Sequence, residues 1–368
     1  MAKTCKVTLN NETFPANCGD LLLDSALMNG VDLPHDCRSG ICGACRVRLV
    51  DGKVFGGQEH GDDMIHACQA RVVSDLEIVT EPVPDQVSLP DQVSLPGRVA
   101  SMVRLAPDVI GVDVELPKPL HYLPGQYCKL QFRGFPERSY SPTYPLEGRP
   151  DPSLLHFHIR RLSDGTVSSA LGRDIGIGHR VKLTGPLGTA FLRPRHAGSI
   201  VLVASGTGFA PMWSIAVAAI MERPQRELIF VVAARKLQSL YMHNALCRLA
   251  LFPNVKIIPV VSEPQNVSPA IRGGRPTDHL PNLSADDVVY TSGAPAMTEA
   301  VAQIARTAGA KCYTDPFVAS SRPADPATVV GRLTGWLNSP RSGPPIVRPA
   351  RKQASRMAAP RAAFGNAR

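Results

Sequence analysis

Four cysteines constrain this chain more than any other feature. Cys37, Cys42 and Cys45 stand in the spacing Cys-x4-Cys-x2-Cys, and Cys68 follows 22 residues after the third. Their loop, Cys37-Arg38-Ser39-Gly40-Ile41-Cys42-Gly43-Ala44-Cys45, has the spacing by which four thiolates hold the two irons of a [2Fe–2S] cluster. Such a cluster is anionic and enclosed, so the loop must turn backbone N–H groups toward sulfur. Gly40 and Gly43 permit those bends, and Arg38 is expected to offset charge. Zinc would ordinarily use two Cys-x2-Cys or Cys/His pairs, of which only Cys42 and Cys45 make one. A Rieske centre would interleave histidines, and no Cys-x-His occurs here. The other five cysteines, Cys5, Cys18, Cys128, Cys247 and Cys312, are scattered. An odd total of nine behind a start with no secretory character argues against a disulfide framework, so these five read as ordinary thiols.

The cluster loop lies in a first segment, residues 1–82, that alternates β-like runs at 5–9, 46–50 and 76–79 with a helical stretch at 21–29 ended by Gly30. This predicts a small α+β domain. The chain is 368 residues long and 44% hydrophobic, enough for two or three cores. A boundary is expected at residues 83–97, where Asp85-Gln86-Val87-Ser88-Leu89-Pro90 is repeated at once as Asp91-Gln92-Val93-Ser94-Leu95-Pro96. A proline in each copy makes it poor sheet material and good linker material. Residues 98–195 carry short strands broken by Gly and Pro, which predicts an antiparallel barrel or sandwich. Residues 196–318 alternate apolar strands (200–204, 228–233, 255–261, 288–291) with helices (210–221, 240–251, 296–308), the rhythm of βαβ units and a parallel sheet.

Residues 319–368 turn to Pro, Arg, Ser and Ala without a sustained period, apart from a possible short helix at 329–337, and read as a disordered tail. The formal charge of +9 belongs mostly to this tail, which holds nine Lys/Arg against Asp325 alone. The preceding 318 residues hold 31 Lys/Arg and 30 Asp/Glu, so the basic balance gives the body no nucleic-acid character. Trp336 and Phe364 are the tail's only aromatics, which argues against a stacking surface for single strands as well. No apolar run approaches the roughly 18 residues of a membrane span, and residues 1–7 have neither an apolar export core nor an import-type amphipathic stretch. A cytoplasmic location is the resulting expectation.

Phosphate chemistry is written into the second half. The strand at 200–204 runs into Ser205-Gly206-Thr207-Gly208-Phe209-Ala210-Pro211 and then a helix. Glycines there let the backbone approach a pyrophosphate, and the helix start supplies N–H donors. Pro211 replaces the third glycine of the dinucleotide fingerprint, so this is not an ordinary Rossmann site. The barrel-like region adds Arg138-Ser139-Tyr140-Ser141-Pro142, Gly165-Thr166-Val167-Ser168-Ser169 and Gly185-Pro186-Leu187-Gly188. Together these offer a cation for a diphosphate, a ring to lie against a planar cofactor and a hydroxyl able to bond a ring nitrogen. Ser168 and Ser169 are expected at the start of a short helix, a further anion site.

The order of these motifs resembles the ferredoxin–NADP reductase superfamily. With the cysteine loop ahead of them, the chain is similar to the single-chain reductase components of bacterial oxygenases. Phe157-His158-Ile159-Arg160 through Thr189-Ala190, Ser292-Gly293-Ala294-Pro295-Ala296-Met297 and Asp315-Pro316-Phe317 are most like the branch serving aromatic-ring dioxygenases of the naphthalene type. The resemblance covers residues 3–318. It implies a multidomain chain: a β-grasp ferredoxin domain with its [2Fe–2S] cluster on Cys37, Cys42, Cys45 and Cys68, an antiparallel β-barrel FAD domain, and an α/β NAD(P)-binding domain. It implies that Arg138, Tyr140 and Ser141 contact FAD, with Ser141 near flavin N5 and Tyr140 and Ser141 serving catalysis. Gly165, Val167 and Ser168 would hold the diphosphate. Gly206, Thr207, Gly208 and Pro211 would line the nicotinamide-nucleotide site, Gly293 to Met297 would close it, and Phe317 would stack near the flavin.

Three departures from the family pattern carry consequences. The interval from Cys45 to Cys68 is short for the family, which implies a trimmed loop beside the cluster. Ser292 stands where relatives often carry cysteine, removing a thiol contact to the nicotinamide. The segment after the second parallel strand lacks an acid for the ribose 2′-OH, and Arg235 and Lys236 are placed to meet a 2′-phosphate, so both NADH and NADPH stay open as donor. The implied activity is hydride transfer from NAD(P)H to FAD, followed by single-electron transfer through the cluster to a ferredoxin or a terminal oxygenase protein. The competing reading is an electron-transfer or docking module with a non-functional reductase half.

Overall fold

The computed structural model describes residues 4–318, apart from 32, 36–37, 39, 41–43, 59–62, 81–88, 146–147, 194–195, 197 and 264–267. Cys37, Cys42, most of the first hexapeptide copy and the whole tail, with its expected helix at 329–337, lie outside the described residues.

The first segment forms strands β1 (Thr4–Leu9) and β2 (Glu12–Asn17), helix α1 (Leu22–Met28), and strands β3 (Arg46–Phe55), β4 (Met64–His66) and β5 (Arg71–Val79). The sheet order is β2-β1-β5-β3-β4, with β1 and β5 parallel in the middle. Alternation explains the core: Cys5, Val7 and Leu9 of β1 point inward, and Leu22, Leu23 and Ala26 of α1 cover them.

Seven antiparallel strands follow: β6 (Val93–Ala106), β7 (Val109–Glu115), β8 (Tyr127–Phe132), β9 (Arg138–Tyr140), β10 (Pro142–Thr143), β11 (Leu154–Arg160) and β12 (Arg180–Leu187). Their order is β10-β11-β7-β6-β12-β8-β9. The two outermost members, β10 and β9, are consecutive in the chain and separated by Ser141 alone, so the sheet closes on itself through that residue. Barrel is thus the form taken, and Phe132, Phe157, Leu130 and Val112 fill it.

Two sequence expectations are corrected here. Part of the span assigned to a linker, residues 83–97, belongs to the barrel: Val93 to Pro96 of the second hexapeptide copy start β6, with Leu95 opposite Leu183 and Pro96 opposite Lys182. Proline is tolerated because this stretch pairs with β12 alone, β7 joining only from Arg98. Ser168 and Ser169 lie in successive turns, not at the start of a helix.

The last sheet is wholly parallel, ordered β16-β15-β14-β13-β17-β18. It comprises β13 (Ile200–Ser205), β14 (Leu228–Ala234), β15 (Val255–Val261), β16 (Arg272–Gly273), β17 (Val288–Gly293) and β18 (Lys311–Pro316), with helices α2 (Phe209–Glu222), α3 (His243–Leu249) and α4 (Pro295–Thr307). Unbroken apolar runs reflect burial on both faces. Ile200, Leu202 and Ala204 pack with α2 and α3, while Val201 and Val203 pack with α4. The second helix is shorter than its expected span of 240–251, and β18 had no counterpart in the strand reading because its run, Lys-Cys-Tyr-Thr-Asp-Pro, is scarcely apolar.

Barrel and parallel sheet share a core in which Leu105, Ala106, Val109 and Tyr144 pack with α2. Buried Arg193 fastens the exit of the barrel: its guanidinium lies over the rings of Phe191 and Tyr313, at 3.5 and 4.2 Å, and its main-chain N–H donates to the Tyr290 hydroxyl at 2.8 Å.

Candidate functional site

Cys45 enters β3 and Cys68 sits in the turn between β4 and β5, both enclosed in the core of the first sheet. Ala67 N–H donates to the Cys45 carbonyl at 3.0 Å, which sets the two cysteine-bearing segments side by side. Gln69, absent from the sequence reading, ties them further. Its amide Nε2 lies 2.9 Å from the Arg38 carbonyl, 3.0 Å from the Cys68 carbonyl and 3.9 Å from Cys68 Sγ. Gly40, at φ +78°, leaves the room this needs, since a Cβ there would stand 2.9 Å from Gln69 Cγ. Gln69 thus knits the Arg38 and Cys68 segments together beside the Cys68 sulfur, an arrangement that suits a thiolate-held cluster. Arg38, expected to offset the cluster's charge, pairs its guanidinium with Asp24 at 2.9 Å.

On the barrel, Arg138 and Tyr140 bound the short strand β9, and Ser141 is the buried closing residue. Arg138 Nη1 donates to the carbonyl of Glu137 at 2.7 Å and meets no carboxylate among the described residues, leaving its charge available to a diphosphate. Burial pushes the Tyr140 phenol up to about 12, so its ring presents a neutral face. Gly165 permits the tight turn that follows: a Cβ there would lie 2.2 Å from Ser168 Oγ. Ser168 Oγ accepts from Leu162 N–H at 3.1 Å, so the hydroxyl is used within the turn. The main-chain N–H groups of Thr166, Val167 and Ser168 have no partner among the described residues, and three such donors in succession suit a phosphate oxygen.

Across the seam, Gly206, Thr207 and Gly208 form a single 3-10 turn between β13 and α2, with Pro211 buried in the first turn of α2. The two glycines are needed for different reasons. Gly206 is at φ +56° with open space where a Cβ would be, whereas a Cβ on Gly208 would lie 2.2 Å from the Ser292 carbonyl oxygen. Gly293, at φ +127°, abuts Ser205, and Ser205 Oγ accepts from Ala294 N–H at 2.9 Å. Phe317 is half-buried and donates its N–H to the Gly293 carbonyl at 2.7 Å. Arg235 is exposed, with Glu263 at 3.7 Å, and Lys236 is exposed beside it.

One contact joins the halves chemically. Ser141 Oγ donates to Asp315 Oδ2 at 3.2 Å, and Ser292 Oγ donates to the same oxygen at 3.4 Å. Asp315 was read only as part of a late motif; the available signal was an acid at the C-terminal end of a strand. Both hydroxyls are thus directed at one oxygen of Asp315, which ties the end of the parallel sheet to the closing residue of the barrel.

Comparison with known proteins agrees with this division. Residues 5–73 match the 2Fe-2S iron-sulfur cluster binding domain, 96–191 the oxidoreductase FAD-binding domain, and 202–303 the oxidoreductase NAD-binding domain. The chain is 33% identical over 322 residues to the ferredoxin–NAD(P)+ reductase component of the naphthalene 1,2-dioxygenase system of Pseudomonas putida, covering 84% of this chain and 96% of that one. It is 34% identical over 298 residues to the corresponding component of the naphthalene 1,2-dioxygenase/salicylate 5-hydroxylase systems of Ralstonia sp., covering 78% and 89%. Among solved structures, the Amycolatopsis cytochrome P450 reductase GcoB superposes with a TM-score of 0.63 at 30% identity, over 86% of this chain and all of that one. The carbazole 1,9a-dioxygenase ferredoxin reductase shares the fold, with a TM-score of 0.61 at 23% identity over 86% and 99%. Among the described residues, no helix is long and apolar enough to cross a membrane. Three domain matches in this order, with full-length likeness to such reductases, make the chain a member of the single-chain, [2Fe–2S]-containing ferredoxin–NAD(P)+ reductase components of oxygenase systems.

Proposed function

We propose that the seam between barrel and parallel sheet is where nicotinamide meets flavin, and that Cys37, Cys42, Cys45 and Cys68 carry the current onward. The chain is an NAD(P)H-dependent reductase whose cofactors are FAD and a [2Fe–2S] cluster and whose electrons go to a ferredoxin or oxygenase protein. A reductase with both halves built is favoured over a docking module with a non-functional half. FAD supplies the conversion the reaction needs, taking two electrons as a hydride and releasing them singly. The observation that carries the assignment is the Ser141–Asp315–Ser292 contact, which draws residues from β9/β10, β18 and β17 to one point.

In this reading Arg138 and the N–H groups of residues 166–168 hold the FAD diphosphate, Tyr140 covers the isoalloxazine, and Ser141 presents its oxygen to the flavin edge. The turn at Gly206 to Gly208, with Pro211 and Gly293, seats the nicotinamide nucleotide, Phe317 borders the flavin, and Arg235, with Glu263 3.7 Å away, leaves both NADH and NADPH open as donor. The domain limits that follow are a cluster domain to about residue 82, a short linker, a barrel from Val93 to about 195, a nucleotide domain to 318 and a tail. Dependence on a reduced nicotinamide nucleotide supports a cytoplasmic site of action. Anaerobic titration with NADH and with NADPH, followed by visible absorption and EPR, tests the whole. Bleaching of flavin and cluster together supports it; a colourless protein, or a cluster that stays oxidised while flavin is reduced, refutes it.

A further inference from the structure

The seam between barrel and parallel sheet is mostly apolar, and besides the Ser141–Asp315 contact and two bonds from α2, Trp213 Nε1 to the Tyr144 carbonyl and Ser214 Oγ to the Pro142 carbonyl, it holds a side-chain pair that none of the nucleotide motifs explains. His158 lies on β11, on the barrel's outer side, since its neighbours Phe157 and Ile159 fill the interior. Tyr241, from the segment between β14 and α3, is buried against it: the hydroxyl is 3.2 Å from His158 Nδ1, and the rings meet edge to face at 5.5 Å. Burial, reinforced by the nearby His156, pulls the His158 imidazole down to about 4, so the ring is neutral under ordinary conditions. Burial also raises the Tyr241 phenol, which keeps its proton and donates it to Nδ1.

Both partners reach toward the proposed reaction centre. The Tyr241 ring meets the edge of Phe209 at 5.8 Å, and Phe209 directly follows the Gly206–Gly208 turn and stacks on Phe230 and Trp213. Tyr241 also ends the segment that begins with Arg235 and Lys236, and next to it Met242 takes the left-handed conformation, φ +65°, which a non-glycine residue holds only when its surroundings impose it. On the barrel side, β11 pairs with β10, so Pro142 and Thr143, the two residues after Ser141, lie opposite Phe157 and His156. A short, rigid path therefore runs from the nucleotide turn, through Phe209, Tyr241 and His158, to the strand beside Ser141.

We infer that Tyr241 is a positioning residue for flavin reduction: its hydrogen bond to His158 fixes the nucleotide-binding turn and the Arg235 segment against the barrel, and so sets the approach of the nicotinamide to the flavin. The inference rests on the reading that hydride crosses this seam. Small errors in that approach are costly, because rate falls steeply with misplacement of reacting atoms.

The test uses the full chain with FAD and cluster loaded, in anaerobic stopped-flow with whichever of NADH or NADPH reduces the parent faster. The variants are Tyr241→Phe, His158→Leu and His158→Asn, the last restoring an acceptor near the position of Nδ1. Tyr241→Phe and His158→Leu are expected to slow flavin reduction at saturating donor about 10-fold and to weaken the long-wavelength nicotinamide–flavin charge-transfer band. The donor Kd should change less than the rate, and His158→Asn should recover at least half of what His158→Leu loses. Parent-like rates and charge-transfer bands in Tyr241→Phe overturn the inference, as does equal loss in His158→Asn and His158→Leu. Should Tyr241→Phe not fold, the two His158 variants decide alone. A parent protein reduced by neither donor refutes the underlying reading instead, an outcome that the parent trace alone identifies.

Discussion

Gly208→Ala is the sharpest perturbation of the nucleotide turn. The added Cβ would stand 2.2 Å from the carbonyl oxygen of Ser292, 2.4 Å from its carbonyl carbon and 2.8 Å from the nitrogen of Gly293. All three are main-chain atoms, so no side-chain rotation relieves the clash. Restoring an ordinary carbon–oxygen separation requires the turn and the end of β17 to part by about 1 Å. That end of β17 carries Ser292 and Gly293, so the displacement passes directly between the seat of the nucleotide and the Ser292–Asp315 contact. A shift of about 1 Å in the reacting geometry is expected to slow hydride transfer on the order of 100-fold. FAD content should be retained, because the residues assigned to FAD diphosphate lie on the barrel. Gly206→Ala acts by another route: its Cβ meets no protein atom within 4 Å, so it costs the left-handed φ of +56°, about 1–2 kcal/mol, together with any contact against the nucleotide seated on the turn. Anaerobic single-turnover flavin reduction, with FAD content measured alongside, reads both variants. A parent-like rate in Gly208→Ala would refute the packing argument.

Cys68→Ser is expected to abolish the cluster's visible and EPR signals while leaving flavin reduction by NAD(P)H intact, so that reduction of a one-electron acceptor protein stops; a retained cluster signal would remove Cys68 from the ligand set. Asp315→Ala and Ser292→Ala should be coupled in a double-mutant cycle on the flavin reduction rate by about 1.5–3 kcal/mol, the range for a hydrogen bond to a charged group, and strict additivity would contradict their contact. His158 gives a stability prediction with a definite sign. Its folded value of about 4 lies below the unfolded value near 6.5, so the unfolded chain binds the proton more readily. The stabilisation from the neutral ring is present above about pH 6.5 and is lost as pH falls toward 4, by roughly 3 kcal/mol in full. Denaturant midpoints at pH 7, 6 and 5 measure it, and His158→Leu should flatten that slope.

Much of this molecule is written in short-range pattern. The β1 alternation of Cys5, Val7 and Leu9 and the unbroken apolar run of β13 encode their structures within a few residues, because periodicity and backbone geometry are local properties. The order of motifs along the chain likewise announced three kinds of domain. Local reading failed where a residue's role depends on what lies across the fold. The second hexapeptide copy looks like a linker, yet its Leu95 pairs with Leu183 because β12 returns beside it. Gly208 looks like a glycine kept for a ligand, and its tightest contact is the Ser292 carbonyl. Gln69 has no motif, and only the closeness of the two cysteine-bearing segments makes it a tether. Ser141 and Asp315 are 174 positions apart, and no period or spacing joins them. Neighbours along the chain specify most of the strands and helices, though not β18, and all of the cofactor-bearing motifs. The closing of the barrel at Ser141 and the arrival of Asp315 beside it on β18 come from the packed fold, because strand order and sheet packing are collective properties of residues far apart.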